Sequence, residues 1–179
     1  MTRRTVTPVK LGSLTFGTGP IYIQSMLNVP STDISGSVAQ AVALEEAGCE
    51  IIRAAIPNQE AVALIPAIKD KVKAPLVADI HFDYRLVLEA LEAGVDKIRI
   101  NPGNIGDEDR IHAVAKACAN RNVPIRIGVN GGSLEKHILA KYGAPTADAL
   151  VESGLYNAKL LEKFDFHQSV ISLKSSNVQ

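Results

Sequence analysis

Four cationic side chains occupy equivalent places near the ends of short apolar stretches. They are Arg53, Arg99, Arg126 and Lys174, and each directly follows an isoleucine or a leucine. Because strand side chains point to opposite faces with a period of two, each cation would lie on the face opposite its apolar neighbour. Burying this much positive charge without partners is costly, so the pattern predicts an anionic ligand. Arginine can bind two phosphate oxygens at once, which favours a phosphorylated ligand over a simple carboxylate.

Other polar residues share the predicted cationic face. Asp79 and His81 are separated by one residue, so both side chains lie on one side of the chain. They are candidates for a general acid with its hydrogen-bonding partner, or for counter-ions of the arginines, and the sequence leaves both interpretations open. Asn101 and Asn130 fall on the same alternate positions. A single strand arginine is as compatible with an ion pair or with solvent, but four cations on four strands favour a binding site.

Polar turns follow two of these strands. Residues 101–104 and 128–132 contain glycine and can expose backbone N–H groups to phosphate. Glycine-rich turns alone do not identify a ligand. Lys97 begins the strand that carries Arg99 and lies farther from its end, so we expect it to form an interior ion pair.

Strands and helices alternate along the chain. A short hairpin is predicted over residues 9–16, and strands are predicted to start at Ile21, Ile51, Leu76, Lys97, Ile125 and Val170. Helical patterns lie between them, and the predicted N-caps include Asp33, Asn58, Asp83 and Asp107. Alternation of this kind indicates a parallel sheet covered by helices.

An internal repeat supports the same architecture. Residues 46–53 and 92–99 share the pattern Glu-Ala-Gly, an acidic residue two positions later, and then Ile-Arg. In each copy, the glycine is placed to end a helix and the arginine lies in the strand that follows. The two copies therefore predict equivalent helix–turn–strand units.

Two architectures fit these units, an open doubly wound sheet and a TIM-type (β/α)8 barrel. The open sheet is usually marked by a glycine-rich phosphate loop after its first strand, and residues 24–28 contain none. Polar residues instead recur at the ends of nearly all strands, as in barrels. A complete barrel needs eight strands and about 250 residues. We therefore expect an α/β barrel, truncated after about six strands, as one domain over residues 1–179.

Composition narrows the class of function. Basic and acidic residues number 19 each, so bulk charge indicates neither a nucleic-acid nor a membrane partner. Cys49 and Cys118 are far apart, and such pairs are typical of buried thiols in a reducing compartment. The chain is expected to bind neither an iron–sulfur cluster nor a metal by itself. His112, His137 and His167 are expected at the surface. No segment resembles a signal peptide or membrane span, so we expect a cytoplasmic protein.

At these residues the sequence resembles the bacterial hydroxymethylbutenyl diphosphate synthases of the methylerythritol phosphate route to isoprenoids. The blocks that carry the resemblance are residues 24–26, 52–53, 77–82, 98–106, 125–130 and 173–176. They occur in the order of the family and extend over almost the whole chain. As a set they are specific, although a single block would not be.

The resemblance implies a (β/α)8 barrel that binds 2-C-methyl-D-erythritol 2,4-cyclodiphosphate. It assigns diphosphate binding to Arg53, Arg99, Arg126 and Lys174, with hydrogen bonds from Asp79, His81, Asn101 and Asn130. The family reaction is a two-electron reductive ring opening that gives (E)-4-hydroxy-3-methylbut-2-enyl diphosphate. The resemblance also implies a homodimer, flavodoxin or ferredoxin as electron donor, and a [4Fe–4S] cluster in a C-terminal domain.

The sequence departs from the family in two ways. It ends before the last two strands and the cluster domain, so the chain alone is expected to lack reductase activity. Leu27 stands where threonine is common, which leaves a hydroxyl contact from this loop unassigned. Two alternatives remain: a non-catalytic phospholigand-binding module, and a pterin-binding barrel of the dihydropteroate synthase kind. Low aromatic content and the inward cations favour the diphosphate over the pterin.

Overall fold

The computed structural model of the chain describes residues 6–101 and 105–175. The strands are β1 (Val9–Leu11), β2 (Leu14–Phe16), β3 (Gln24–Met26), β4 (Ile51–Ala55), β5 (Leu76–Asp79), β6 (Lys97–Ile100), β7 (Ile125–Asn130) and β8 (Ser169–Lys174). The α-helices are α1 (Ile34–Glu46), α2 (Leu64–Lys69), α3 (Tyr84–Glu92), α4 (Glu108–Asn120), α5 (Lys136–Tyr142) and α6 (Ala147–Glu162). Short 3-10 segments cover Glu60–Ala63 and Gly131–Ser133.

One parallel sheet organises the domain. Its six strands follow chain order from β3 to β8, and every neighbouring pair is parallel. The sheet curls into a half-barrel that is open between β3 and β8 among the described residues. The antiparallel β1–β2 hairpin forms a separate two-stranded sheet. The prediction of a truncated α/β barrel is therefore confirmed.

The hydrophobic core lies between the sheet and the helices. Strand side chains predicted to face the helices are buried, namely Ile52, Ala78, Ile98, Ile100, Ile125 and Ile127. They belong to one cluster with buried helix residues such as Val87, Val114 and Leu161. Full burial of such a side chain contributes about 1.5–3 kcal/mol, so this layer fixes the opposite face of each strand toward the barrel interior. None of the described helices is long and apolar enough to cross a membrane.

Local sequence signals position the helices as expected. The carboxylates of Asp33, Asp83 and Asp107 each accept a hydrogen bond from a backbone N–H in the first turn of α1, α3 and α4. Gly48 and Gly94, the equivalent glycines of the internal repeat, have φ of +90° and +88°. Only glycine adopts this conformation without a steric penalty, so both copies leave the helix in the same way.

The sheet edges differ from the sequence-based expectation. The first parallel strand is Gln24–Met26 rather than residues 21–24, and the side chains of Ile21 and Ile23 are exposed. At the other edge, Ile171 and Leu173 lie against Gly154 of α6, as predicted for helix-facing residues, but remain nearly half exposed. Each edge strand pairs with one neighbour only, so less of its surface is covered.

Lys97 contradicts the prediction of an interior ion pair. Its side chain is only 1% exposed, yet no carboxylate of the described residues lies within ion-pair distance. Instead, its ammonium group lies 4.2 Å from the ring centroid of Phe16 in the hairpin. Burial, followed by repulsion from Arg126, lowers the pKa of Lys97 to about 8. The hairpin therefore supplies an aromatic face in place of a counter-ion.

Lys97 is predicted to make stability depend on alkaline pH. The pKa of Lys97 is near 10.5 in the unfolded chain and about 8 in the folded chain. Between these pH values the unfolded state binds more protons than the folded state, so the unfolding free energy rises with pH. Between about pH 7 and 9.5, the wild-type chain should gain about 2 kcal/mol of unfolding free energy relative to Lys97→Met. Urea unfolding at both pH values measures this difference. Parallel pH profiles for the two proteins would contradict it.

Candidate anion-binding site

Asp79 is the centre of the charged interior. It ends β5 and is 3% exposed, and both of its carboxylate oxygens accept hydrogen bonds from arginine. Oδ2 accepts from Nε and Nη2 of Arg53 at 3.1 and 2.5 Å, and Oδ1 accepts from Nη1 of Arg99 at 3.0 Å. Arg53 lies on β4 and Arg99 on β6, the two neighbours of β5. One carboxylate thus holds guanidinium groups from both flanking strands.

Arg99 is also held from the β7 side. Its Nη2 donates to the carbonyl oxygen of Gly128 at 3.3 Å. A Cβ atom at position 128 would lie only 2.3 Å from Nε of Arg99. The guanidinium therefore occupies the space that any other residue at position 128 would fill.

Arg126 differs from the other two arginines because the described residues give it no carboxylate partner. Its Nη2 donates to Oγ of Ser172 on β8 at 2.7 Å. Burial first, and then repulsion from Arg53 and Arg99, lower its pKa from the ordinary arginine value. The guanidinium is still charged at any physiological pH. Its unbalanced charge is available to an anion.

These cations surround a small pocket. It has a volume of about 140 Å³ and is lined by Arg53, Arg99, Arg126, Gly128, Val129, Asn130, Ser172 and Lys174. Asn130 and Lys174 are register partners at the ends of β7 and β8. Four cations against the one carboxylate of Asp79 leave an excess of three positive charges around the pocket. This arrangement can bind a compact polyanion.

His81 and Asn101 are not in the lining of this pocket, although His81 contacts one of its arginines. Nε2 of His81 is 3.3 Å from Oδ1 of Asp79 and 3.2 Å from Nη1 of Arg99, and the side chain is half exposed. Asn101 is buried, and its Nδ2 donates weakly to the carbonyl oxygen of Ser133 at 3.4 Å. Its Oδ1 accepts no hydrogen bond from the described residues. That oxygen can accept one from a ligand.

The structure brings together most of the residues predicted from sequence. Arg53, Arg99, Arg126, Asn130 and Lys174 line one pocket, and Asp79 and His81 lie against two of its arginines. Residues 102–104 of the turn predicted over residues 101–104 lie outside the described residues. Sequence reasoning did not identify Ser172 or the contact of Gly128. Ser172 shares its strand face with Lys174, so the same period-two argument would have found it.

Residues predicted to be outside the site lie elsewhere. His112, His137 and His167 are exposed, as expected. Cys49 and Cys118 are buried, and burial raises the pKa of the Cys118 thiol to about 12. Among the described residues, no group of three or more His, Cys, Asp or Glu side chains could hold a metal ion. The two cysteines therefore do not fit the ligand set of an iron–sulfur cluster.

Comparison with known proteins establishes the family. A family model described as the GcpE TIM-barrel domain matches residues 6–179. The chain belongs to this family. It is 57% identical over 173 residues to the 4-hydroxy-3-methylbut-2-en-1-yl diphosphate synthase (flavodoxin) of Geobacillus kaustophilus (strain HTA426), covering 96% of the chain and 46% of that protein. The enzyme of the same name from Bacillus mycoides (strain KBAB4) is 54% identical over 180 residues, covering 99% and 49%.

The chain thus spans about half the length of the curated relatives it matches. Solved structures resemble its fold. Dihydropteroate synthase of Yersinia pestis has a TM-score of 0.67 at 12% identity, covering 92% of this chain and 61% of that one. A truncated 3-deoxy-D-arabino-heptulosonate 7-phosphate synthase of Thermotoga maritima also has a TM-score of 0.67, at 14% identity, covering 96% and 59%. At such low identity, these likenesses establish the barrel fold alone.

Gly128→Ala is predicted to displace Arg99 from its position. The added methyl group would overlap the guanidinium, so we expect a loss of about 1–3 kcal/mol in unfolding free energy and weaker binding of inorganic diphosphate. Gly132→Ala is the matched control, because a Cβ there meets no atom within 4 Å. Urea unfolding and calorimetric titration measure both effects. Equal behaviour of the two variants would contradict the assigned contact.

Proposed function

We propose that this chain is the substrate-binding barrel of a 4-hydroxy-3-methylbut-2-en-1-yl diphosphate synthase and that it binds 2-C-methyl-D-erythritol 2,4-cyclodiphosphate. The observation that carries the proposal is the pocket enclosed by Arg53, Arg99, Arg126 and Lys174. Its positive charge exceeds its negative charge by three, which suits a diphosphate better than a single carboxylate. Membership of the family and the names of the relatives support the same substrate class.

The residues divide into two groups in this proposal. Arg126 and Lys174 bind diphosphate oxygens with charges that no described carboxylate balances, and Asn130 adds an amide between them. Arg53 and Arg99 contribute the N–H groups and charge that remain after their bonds to Asp79. The apolar core behind the strands lowers the local dielectric, so each of these contacts is stronger than the same contact in water.

The hydrogen-bonding residues at the edge of the pocket have a separate role. Asn101 offers its unpaired Oδ1 to a hydroxyl group of the ligand. His81 is half exposed beside Arg99 and can donate to, or accept from, the same ligand according to its tautomer. These contacts would orient the sugar-derived part after the diphosphate is bound.

The reductive step is proposed for the longer protein. A [4Fe–4S] cluster in a C-terminal domain would supply the two electrons, with flavodoxin or ferredoxin as donor and a homodimer as the working unit. Relatives carry flavodoxin in their names. The described residues of this chain offer no cluster site, so their contribution is to bind and orient the cyclic diphosphate. A cytoplasmic location fits such a role.

Two other functions compete with this one. The chain could serve as a phospholigand-binding module without any catalytic partner, because its pocket requires only an anion. The barrels of dihydropteroate synthases resemble this chain in fold, but a shared fold alone does not identify the ligand. The charge of the present pocket favours a diphosphate over a pterin. Titration of the chain with the cyclic diphosphate and with a pterin distinguishes diphosphate binding from pterin binding, and binding of the pterin alone would overturn our proposal.

Arg126→Gln is predicted to weaken binding of the cyclic diphosphate by about 30-fold, equivalent to about 2 kcal/mol for a charge-assisted contact. Because Arg126 has no carboxylate partner among the described residues and repels two other arginines, its loss should not lower the unfolding free energy. Arg85→Gln, on the exposed surface of α3, controls for the change in net charge. Calorimetry that shows the same affinity for both variants would exclude Arg126 as a ligand contact.

The chain alone is predicted to bind without turnover. Purified chain supplied with reduced flavodoxin and the cyclic diphosphate should form no detectable (E)-4-hydroxy-3-methylbut-2-enyl diphosphate, because the described residues hold no redox group. Product analysis by mass spectrometry checks this outcome, with a complete enzyme of the family as positive control. Reductive turnover by the chain itself would contradict the proposed division of labour.

A further inference from the structure

We propose that Asp79 is a positioning residue of the anion site: it sets the separation and orientation of Arg53 and Arg99 and makes no contact with the ligand. The identity of the ligand in this inference rests on the proposed function. The arrangement of the two guanidinium groups does not, since it is present without any ligand.

The first argument is the hydrogen bonding and burial of the carboxylate. An ionised carboxylate has about four lone-pair positions. Asp79 accepts three hydrogen bonds, from Nε and Nη2 of Arg53 and from Nη1 of Arg99, at 2.5–3.1 Å, and Nε2 of His81 lies 3.3 Å from Oδ1. With 3% of its side chain exposed, the carboxylate offers almost no surface to a substrate atom. The group is therefore a poor candidate for either a ligand contact or a proton donor.

The second argument is the strand order. Asp79 is in register with Arg99 on one side and with Ala55 on the other, so Arg53 starts two residues lower on β4. Arg53 must extend along the interior to meet the carboxylate. Two like-charged guanidinium groups would separate without an anion between them. Asp79 keeps both at the pocket wall, where Arg53 and Arg99 are both lining residues.

The third argument concerns the rest of Arg99. Besides Asp79, its guanidinium contacts the carbonyl oxygen and the Cα region of Gly128. It is thus fixed on two sides, by β5 and by β7. Arg126, which lacks a carboxylate, is tied only to Ser172 among the described residues. The pocket combines two preorganised cations with a less constrained one, and preorganisation lowers the entropic cost of binding.

Positioning and simple charge attraction predict opposite signs for Asp79→Asn. If charge alone governed binding, removal of a negative charge would tighten the binding of a polyanion. If Asp79 positions the arginines, the asparagine amide turns an N–H group toward one guanidinium, and binding weakens although the net charge becomes more positive. We expect at least a tenfold loss of affinity for both inorganic diphosphate and the cyclic diphosphate.

Two further variants complete the experiment. Asp79→Glu keeps the charge but moves the carboxylate by one methylene group, so it should also weaken binding at least tenfold, whereas charge attraction predicts no change. Asp83→Asn is the control for loss of a nearby acid. Asp83 caps α3 and contacts no cation of the pocket, and asparagine caps helices equally well. It should leave the affinity unchanged or slightly tighter.

A measurement without ligand distinguishes failure of this inference from failure of the proposed function. In the wild-type chain, the Nε–H signal of Arg53 in ¹⁵N NMR spectra should be slow to exchange, because Nε donates to Asp79. It should exchange rapidly in Asp79→Asn. Slow exchange in both proteins, or wild-type affinity in both Asp79 variants, overturns the positioning role. If the wild-type chain binds inorganic diphosphate but not the cyclic diphosphate, only the substrate assignment fails.

Discussion

Cationic side chains inside a curved sheet repel one another unless an anion lies among them. In this domain the carboxylate of Asp79 is that anion. Its carboxylate lies on the middle one of three adjacent strands and binds guanidinium groups from both neighbours. Without it, Arg53, Arg99 and Arg126 would oppose one another across a few ångströms of low dielectric. The curvature of the sheet brings the cations together, and this one carboxylate makes their proximity tolerable. The candidate anion site consists of the cations whose charge Asp79 does not balance.

Charged side chains inside the barrel have different partners near the C-terminal ends of the strands and near the start of β6. Near the strand ends, Arg53 and Arg99 have a carboxylate, and Arg126 has a serine hydroxyl. At the start of β6, Lys97 has no carboxylate partner among the described residues. Its ammonium group lies over the ring of Phe16, and its pKa is lowered to about 8. The cations near the strand ends thus exceed the single carboxylate of Asp79, whereas Lys97 loses its proton more readily than an exposed lysine. The β1–β2 hairpin therefore has an electrostatic role, because it supplies Phe16.

The relation to longer relatives fits the division of roles that we propose, with the substrate bound by this chain and the redox centre outside its described residues. The chain matches the TIM-barrel domain of its family and about half the length of its curated relatives. Its pocket is lined by residues of β4, β6, β7 and β8, and Asp79 of β5 binds two of the lining arginines. Under our proposal, binding and electron transfer use residues in different parts of the protein, and the half-barrel contributes the residues for binding.

The sequence by itself determined the elements and the face on which each side chain lies. Periods of two and of 3.6, with N-cap aspartates and glycines after helices, are local properties and placed the cations inside. The exceptions were at the edges, where residues 21–24 did not form the first strand. Only the tertiary structure decided the partners: Asp79 with Arg53 and Arg99, Ser172 with Arg126, and Phe16 with Lys97. These pairs depend on inter-strand register and side-chain reach across 20 to 81 residues of sequence, which no local period encodes.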